Sequence, residues 1–273
     1  MKNLTISIFQ KCKNWLLIAP FAATLIGCGN VGFLEGVLPG TVTADQVEQA
    51  AAEYYAQAMT DSKVLPARNA QVIRLRKIAD RLIPLTPEYN PKAANWKWEV
   101  NLINDPKTLN AWCMAGGKIA FYTGIINQLK LTDDEIAMIM GHEMVHALKE
   151  HIYYQINKEA TLGLGVSQAG KAAGIDSDLT AFGEKMLNLT FSRSDEKEAD
   201  LIGQELAARA GYDPKAAISL WKKFQNASGS NASALDEFFS THPVDEKRIQ
   251  YLEDNLPNVM PLYEEAKRNA RRR

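Results

Sequence analysis

Two histidines and a glutamate in the middle of the chain have the types and the spacing of a metal-binding helix. His142 and His146 are four positions apart, and Glu143 directly follows the first of them. Residues i and i+4 lie on one face of a helix, so both imidazoles can bind one ion. Glu143 lies beside that face, where a carboxylate can take a proton from water activated by zinc. The spacing indicates metal-assisted hydrolysis, although this short motif also occurs by chance on surface helices.

A third protein ligand is required, because a catalytic zinc site has three of them and one open position. A second acidic helix offers two candidates, Glu196 and Asp200, which are four residues apart and share a face. Glu196 as the ligand, with Asp200 accepting a hydrogen bond from a histidine ring, follows the usual construction of metal sites. An ordinary solvated acidic face has the same spacing, so spacing alone leaves both interpretations open.

Two neighbouring residues are predicted to stay out of the metal site. His151 follows His146 by five positions, about 500° of helix rotation, and is therefore not expected to bind the ion. Glu198 lies away from the face of the acidic candidates and is expected to be exposed or to form a salt bridge. The chain has four histidines, and the remaining one is His242.

The segments around these residues predict a mostly helical α+β fold with a small β-sheet beside the helix of the histidines. Thr132 and Glu135 form a capping-box pattern at the start of that helix, which is expected to reach about Ile152. Helices are predicted near 43–59, 67–83, 179–191, 192–211, 213–225 and 244–252, strands near 96–102, 110–114 and 118–123, and a loop at 228–233. The glycine-rich segment 160–175 fits either a loose helix or a loop.

Four motifs together resemble the M48 peptidases. They are H-E-M-V-H at 142–146, S-R-S-D-E-K-E-A-D at 192–200, A-G-Y-D-P at 210–214 and T-H-P at 241–243. The resemblance spans roughly residues 45–255 and is strongest toward the bacterial periplasmic lipoprotein members, the LoiP-like proteases. It implies a gluzincin-like metallopeptidase domain with one Zn²⁺ bound by His142, His146 and Glu196, and Asp200 as the residue that orients a histidine. It also implies that a strand, at 110–114 or 118–123, runs beside the cleft and pairs with extended substrate.

The same resemblance gives His242 a predicted role in the site. A histidine near a zinc site can stabilise a developing oxyanion, or it can act as a fourth ligand that excludes water in a resting state. Without the resemblance, His242-Pro243 is only a turn at the start of a helix. Arg193 and Arg248 are expected either to shape the cleft or to form structural salt bridges.

The N-terminus has the pattern of a bacterial lipoprotein. Lysines precede a short apolar run that ends in Leu25-Ile26-Gly27-Cys28, which resembles a lipobox. We therefore expect a signal peptide at 1–27, a lipidated Cys28, a flexible tether at 28–44, a peptidase domain at 45–255 and a C-terminal tail at 256–273. Gly29 in the second mature position favours the outer membrane of a Gram-negative bacterium, with the domain facing the periplasm. An ordinary signal peptide with an incidental cysteine is the alternative.

Composition narrows the classes of partner. The formal net charge of −1 lacks the basic excess of a nucleic-acid-binding surface, so no nucleic-acid partner is expected. Cys113 is the one cysteine left outside the signal peptide and the lipobox, and it is expected to be buried. The resemblance implies unfolded or misfolded envelope proteins as substrates, with the envelope assembly machinery as a further partner. A zinc-binding chaperone with little proteolysis and a zinc hydrolase of non-peptide substrates are the alternatives.

Overall fold

The computed structural model describes residues 42–161, 179–230, 232–243 and 247–272. The expected signal peptide, Cys28, most of the tether and residues 162–175 of the glycine-rich segment lie outside these ranges. Among the described helices, none combines the length and the apolarity that crossing a membrane requires.

Helices dominate the described part of the chain, and three strands form one sheet, which confirms the predicted α+β class. Two short 3₁₀ helices (Ile83–Glu88 and Pro91–Asn95) lead into the first strand. The other elements are α1 (Ala44–Asp61), α2 (Ala70–Leu82), β1 (Glu99–Ile103), β2 (Ala111–Met114), β3 (Lys118–Tyr122), α3 (Thr123–Gln128), α4 (Asp133–Leu148), α5 (His151–Thr161), α6 (Leu179–Leu187), α7 (Arg193–Arg209), α8 (Ala216–Ser230), α9 (Ala232–Thr241) and α10 (Arg248–Arg271).

The sheet has the order β1-β3-β2, with β1 parallel and β2 antiparallel to the central strand β3. Gly116 and Gly117 join β2 to β3 with φ angles of 77° and 79°, a region that glycine enters without steric cost. The predicted hairpin is therefore confirmed. Because β3 is paired on both sides, β2 is an edge strand of this sheet.

Side chains of the sheet alternate between two apolar clusters, as the period of two in a strand requires. Ala111 and Cys113 of β2 pack with α2, α4 and α7, whereas Trp112 and Met114 pack with α1, α5 and α6. Cys113 is a buried free thiol, as predicted. The sheet thus separates the packing of α4 from the packing of α1 and α6.

Helix α4 lies in the core, and its residues from Glu135 to Leu148 are all buried. It crosses α7 at two glycines. A Cβ atom placed on Gly141 would lie 2.8 Å from the Gly203 carbonyl oxygen, and one on Gly203 would lie 2.7 Å from the His142 nitrogen. The absence of side chains at both positions allows the two backbones to approach, which brings the ligand-bearing faces of α4 and α7 together.

Three predicted boundaries are wrong. Helix α4 ends at Leu148 rather than near Ile152, because Glu150 adopts a positive φ of 55° before α5 begins at His151. The segment 228–233 was expected to be a loop from its serine and glycine content, but α8 continues to Ser230 and α9 starts at Ala232. The last helix runs to Arg271 rather than Leu252, through Pro257 and Pro261.

Candidate metal centre

Helix α4 begins with the predicted capping box. The Thr132 hydroxyl accepts a hydrogen bond from the Glu135 backbone N–H, and the Glu135 carboxylate accepts one from the Thr132 N–H. Both Glu135 oxygens also accept hydrogen bonds from α8. Oε1 accepts from the Ser219 hydroxyl at 2.7 Å, and Oε2 accepts from Lys223 Nζ at 2.6 Å. These contacts fix where α4 starts, and with it the positions of His142 and His146.

Helix α7 is anchored by a second capping box, between Ser192 and Asp195. This start places Glu196 in the first turn and Asp200 one turn later, and both side chains are buried. Helix α7 ends at Arg209, and Gly211, two residues later, has the φ of 81° that is typical of a glycine just after a helix. The predicted acidic face therefore exists, but it faces α4 rather than solvent.

Four potential ligand atoms, from His142, His146, Glu196 and His242, lie within 4.8 Å of one another in the described residues. His142 Nε2 is 3.2 Å from His146 Nε2 and 3.3 Å from His242 Nδ1. The Glu196 carboxylate approaches His146 Nε2 to 3.3 Å and His142 Nε2 to 3.7 Å. All four side chains are at most 8% exposed.

The donor set fits a zinc ion. Zinc binds histidine nitrogen and carboxylate oxygen at about 2.0–2.2 Å, so tetrahedral ligands stand roughly 3.3 Å apart, close to the separations observed. Burial lowers the pKa of His146 well below its usual value, which favours the neutral imidazole that a metal requires. Burial alone would raise the pKa of Glu196, but the imidazoles of His242 and His146 outweigh it and hold this pKa far below its usual range.

Asp200 contacts the Nδ1 side of the His142 ring, whereas Nε2 of this ring faces the ligand cluster. Its Oδ1 atom is 2.9 Å from His142 Nδ1, so the histidine donates there and keeps its Nε2 lone pair toward the ligand cluster. The Tyr251 hydroxyl donates to the second carboxylate oxygen at 2.6 Å, and Arg248 forms an ion pair with Asp200. Burial disfavours ionised Asp200, but the charge of Arg248 outweighs it and lowers the pKa of Asp200 to about 2.

Arg248 also reaches the third candidate ligand. Its Nη1 atom is 2.8 Å from Glu196 Oε2, and its guanidinium lies 3.7 Å from the ring centroid of Trp221. At 2% exposure, Arg248 is one of the most buried side chains in the described residues. Of the two roles predicted for it, the geometry favours a salt bridge, which here links both acidic residues of the site.

Glu143 and His242 face each other beside the ligand cluster. Glu143 Oε1 is 3.5 Å from His242 Nε2 and has no hydrogen-bond partner within the described residues. Burial raises the pKa of Glu143, although the imidazoles of His242 and His142 act in the opposite direction. An orphaned carboxylate oxygen in a buried site is an acceptor available for a proton that arrives with water or substrate.

Aromatic rings hold two of the histidines in place. Phe191 stacks on His146 with 3.8 Å between ring centroids, and Phe238 stacks on His242 at 4.7 Å. His242 follows the end of α9, and its backbone N–H donates to the Phe238 carbonyl at 2.9 Å. The sequence motifs contained no indication that these phenylalanines belong to the site.

A cleft of about 270 Å³ opens onto the ligand cluster. Its walls are edge strand β2 and helix α6, and Glu143, His146 and His242 lie in its lining. Of the two strands that were predicted to run beside the cleft, β2 is therefore the one with an edge that an extended peptide can pair with.

The chain is similar in sequence to known proteins. Residues 69–256 match Peptidase family M48, which covers more than half of the chain. The chain belongs to family M48. The match includes both ligand-bearing helices and His242, so family M48 supplies an independent reason to group these residues as one metallopeptidase site.

Several M48 relatives are similar to the chain at low identity. Mitochondrial metalloendopeptidase OMA1 of Schizosaccharomyces pombe is 32% identical over 80% of this chain and 63% of its own length. Metalloprotease LoiP of Escherichia coli is 28% identical over 90% and 98%, and metalloprotease YcaL of the same organism is 24% identical over 90% and 98%. The chain thus spans less than two thirds of the OMA1 relative. The similarity to OMA1 and to LoiP is at comparable identity, so membership of family M48 is shown and the expected preference for LoiP-like members stays a prediction.

Two residues that the sequence placed outside the site lie directly behind it. His151 Nδ1 is 3.0 Å from His146 Nδ1, and the Glu198 carboxylate is 3.2 Å from His151 Nε2. His151 is not among the clustered ligand atoms, and Glu198 forms the predicted salt bridge, with Lys149 at 3.3 Å. Helix arithmetic could not find these contacts, because the helix breaks between His146 and His151.

Proposed function

We propose that the chain is a zinc-dependent metalloendopeptidase. The observation that carries the proposal is the buried cluster of His142, His146 and Glu196, beside which Glu143 Oε1 has no hydrogen-bond partner among the described residues. Family M48 membership supports the same activity. The ion would be held by the two imidazoles and Glu196, and in such a site zinc polarises a peptide carbonyl and activates water for attack.

Residues of the chain would align the substrate, transfer the proton and orient the metal ligands. Substrate would enter the cleft in an extended form and pair with β2, which aligns its backbone with the site. Glu143 would take the proton from the attacking water and deliver it to the leaving amine nitrogen. Asp200 would keep His142 in one tautomer and orientation, and Arg248 would hold Asp200 and Glu196 in their ionised forms.

For His242, the distances support the fourth-ligand alternative. Its Nδ1 atom lies 2.9 Å from Glu196 Oε1 and 3.3 Å from His142 Nε2, within the ligand cluster. A histidine in this place would occupy the position that a catalytic site leaves open. We expect His242→Ala to raise cleavage while the protein keeps one zinc per chain, whereas abolished cleavage with zinc retained would favour the oxyanion role. Loss of zinc from folded His242→Ala would instead make His242 a structural ligand.

A protease assay with a matched variant tests the activity. Purified parent protein is expected to digest casein, and Glu143→Gln is expected to lose at least about a hundredfold of that rate, the usual contribution of a general base. Both proteins should contain one zinc by elemental analysis. Equal binding of casein without cleavage by either protein would favour the chaperone alternative. Zinc-dependent turnover of esters but not of peptides would favour a non-peptide hydrolase.

We further propose that the enzyme is anchored to the outer membrane by lipidated Cys28 and degrades unfolded or misfolded envelope proteins in the periplasm. The lipobox-like segment supports the anchor, and the similarity to metalloprotease LoiP supports proteolysis. Two or more acyl chains anchor a protein stably, whereas one chain binds a membrane only marginally. In a Gram-negative host, the parent chain should incorporate palmitate and sediment with outer membranes, and Cys28→Ser should do neither. Outer-membrane recovery of Cys28→Ser would refute the anchor.

A further inference from the structure

The second histidine ligand has an unusual neighbour. His146 directs Nε2 into the ligand cluster, and its Nδ1 atom lies 3.0 Å from Nδ1 of His151. Both rings are buried, at 1% and 6% exposure. A metal-binding histidine usually donates its other N–H to a carboxylate, a backbone carbonyl or water. Here the nearest group is a second imidazole, so the protons of both rings must be assigned together.

Only one placement of the ring protons of His146 and His151 satisfies every contact when an ion is bound. His146 Nε2 must present a lone pair to the metal, so the proton of this ring sits on Nδ1. His151 Nδ1 must then accept that proton's hydrogen bond, which leaves the His151 proton on Nε2. That N–H points at Glu198 Oε2, 3.2 Å away, and Lys149 Nζ lies 3.3 Å from the other Glu198 oxygen. The result is a directed chain from the ligand through His151 to a carboxylate.

We propose that His151 is the positioning residue of His146, and that Glu198 in turn fixes the tautomer of His151. This role corresponds to that of Asp200 toward His142, with one difference. Asp200 contacts its histidine directly and is paired with buried Arg248. Glu198 acts through an interposed imidazole, and its side chain is 42% exposed. The two histidine ligands are therefore oriented by groups of different charge and accessibility.

The backbone conformation between α4 and α5 supports the proposed role of His151. On an unbroken helix, His151 would lie about 140° around the axis from His146. Helix α4 instead ends at Leu148, and Glu150 takes a φ of 55°, which few residues other than glycine adopt. The turn returns the chain so that the first residue of α5 faces the last histidine of α4. A strained residue at this point is accounted for if the contact that it creates contributes to the site.

Two substitutions separate a positioning role from simple core packing. His151→Asn places an amide oxygen near the position of Nδ1 and can still accept from His146. His151→Phe keeps an aromatic ring next to Phe191, whose centroid is 6.2 Å from that of His151, but offers no acceptor. Tyr154→Leu, at an exposed position on the same helix, is the control. Zinc affinity is measured at fixed pH by competition with a chromophoric chelator, and the ligand field by the visible spectrum of the Co²⁺-loaded protein.

Loss of an outer hydrogen-bond partner typically weakens metal binding 10- to 100-fold. We expect His151→Phe to lose zinc affinity by roughly that factor and to shift the Co²⁺ bands, whereas His151→Asn and Tyr154→Leu stay within about threefold of the parent. Parent-like affinity and spectrum in folded His151→Phe would overturn the proposal, as would equal losses in the Asn and Phe variants. Should His151→Phe not fold, Glu198→Gln replaces it: a severalfold loss of affinity supports the chain of contacts, and no change overturns it.

This inference rests on the proposed zinc site, and the two can fail separately. If the parent protein binds no stoichiometric zinc, the proposed function fails. If the parent binds zinc and cleaves casein but the His151 variants bind zinc as the parent does, only the positioning role fails.

Discussion

At the scale of single residues, the site combines a connected network of charged groups with buried polar atoms that lack a partner in the described residues. The ligand atoms, Asp200 and Arg248 satisfy one another in a buried network of ion pairs and hydrogen bonds. Removal of one member of such a network is strongly destabilising, because it leaves a buried charge without its partner. Trp112, by contrast, lines the cleft with its ring packed against Tyr55, and its Nε1 atom is buried without a partner in the described residues.

The indole N–H of Trp112 leads to a prediction about substrate binding. Because Trp112 lines the cleft and its buried N–H has no partner in the described residues, we expect bound peptide to supply the missing acceptor. Trp112→Phe keeps an aromatic ring against Tyr55 and removes the donor, so KM for a peptide substrate should rise roughly fivefold, which corresponds to about 1 kcal/mol for one hydrogen bond. The measurement is steady-state cleavage of a fluorogenic peptide. Unchanged KM with a lower melting temperature would show that Trp112 serves only packing.

At the scale of elements, the start of α4 controls where the ligands lie. Glu135 caps the helix and also holds Lys223 of α8 at 2.6 Å, with a side chain only 3% exposed. Burial would raise the pKa of Glu135, but the contacts with Lys223, Thr132 and Ser219 outweigh it and lower this pKa. The carboxylate therefore binds its proton less readily in the folded chain than in the unfolded chain.

A lowered pKa fixes the sign of the pH dependence. Above the unfolded value of Glu135 the ionised contacts contribute fully to stability, and this contribution is lost as the pH falls through the lower, folded value. Glu135→Gln retains the capping pattern but not the charge. It should destabilise the protein by about 0.5–1 kcal/mol at pH 7, since Lys223 is partly exposed, and the difference should shrink as the pH falls below the unfolded pKa of Glu135 and through the lower, folded one.

Thermal unfolding of both proteins between pH 3 and pH 7 measures this effect. Glu253→Gln, which makes the same chemical change at an exposed position of α10, is the control. A difference between Glu135→Gln and the parent that stays constant over the whole range would refute the charge-based explanation.

Element types were largely predictable, and several element ends were not. Apolar periodicity and capping residues act over a few neighbouring positions, which is why α4, α7 and the hairpin at Gly116-Gly117 were found. The break at Glu150 has no glycine or proline to mark it. Residues 228–230 and 232–233 of the serine-rich stretch are helical, because packing of apolar residues such as Phe224 and Leu235 overrides weak local helix propensity.

At the scale of the whole molecule, the metal centre joins elements that are far apart in the chain. His142 lies on α4, Glu196 on α7 and His242 after α9, so an ion bound to all of them cross-links the domain. A ligand that binds only the folded state stabilises it, by about 2.7 kcal/mol at a hundredfold excess over its Kd and more at higher excess. If the proposed zinc ion binds this site, it should therefore supply part of the stability of the described domain.

Removal of metal should lower the melting temperature. For a domain of this size, 1 kcal/mol corresponds to about 2–4 °C, so we expect chelator to lower Tm by roughly 5–15 °C and restored zinc to reverse the change. Glu196→Gln, which weakens the site, should have a low Tm that chelator scarcely alters. Differential scanning calorimetry gives both values. A parent Tm that chelator leaves unchanged, after verified removal of zinc, would contradict the cross-linking role.

The chemistry of each helix can be read from neighbouring residues: the spacing of His142, Glu143 and His146, and the shared face of Glu196 and Asp200. Those relations extend over one turn of helix and follow from its geometry. The contact between the acidic face and the histidines depends on long-range packing, because it requires α4 and α7 to cross closely at Gly141 and Gly203. Packing likewise makes Arg248 bridge both carboxylates and places β2 at the edge of the sheet. One left-handed residue, Glu150, returns His151 to His146. Side-chain periodicity carries no information about such packing or about a left-handed residue.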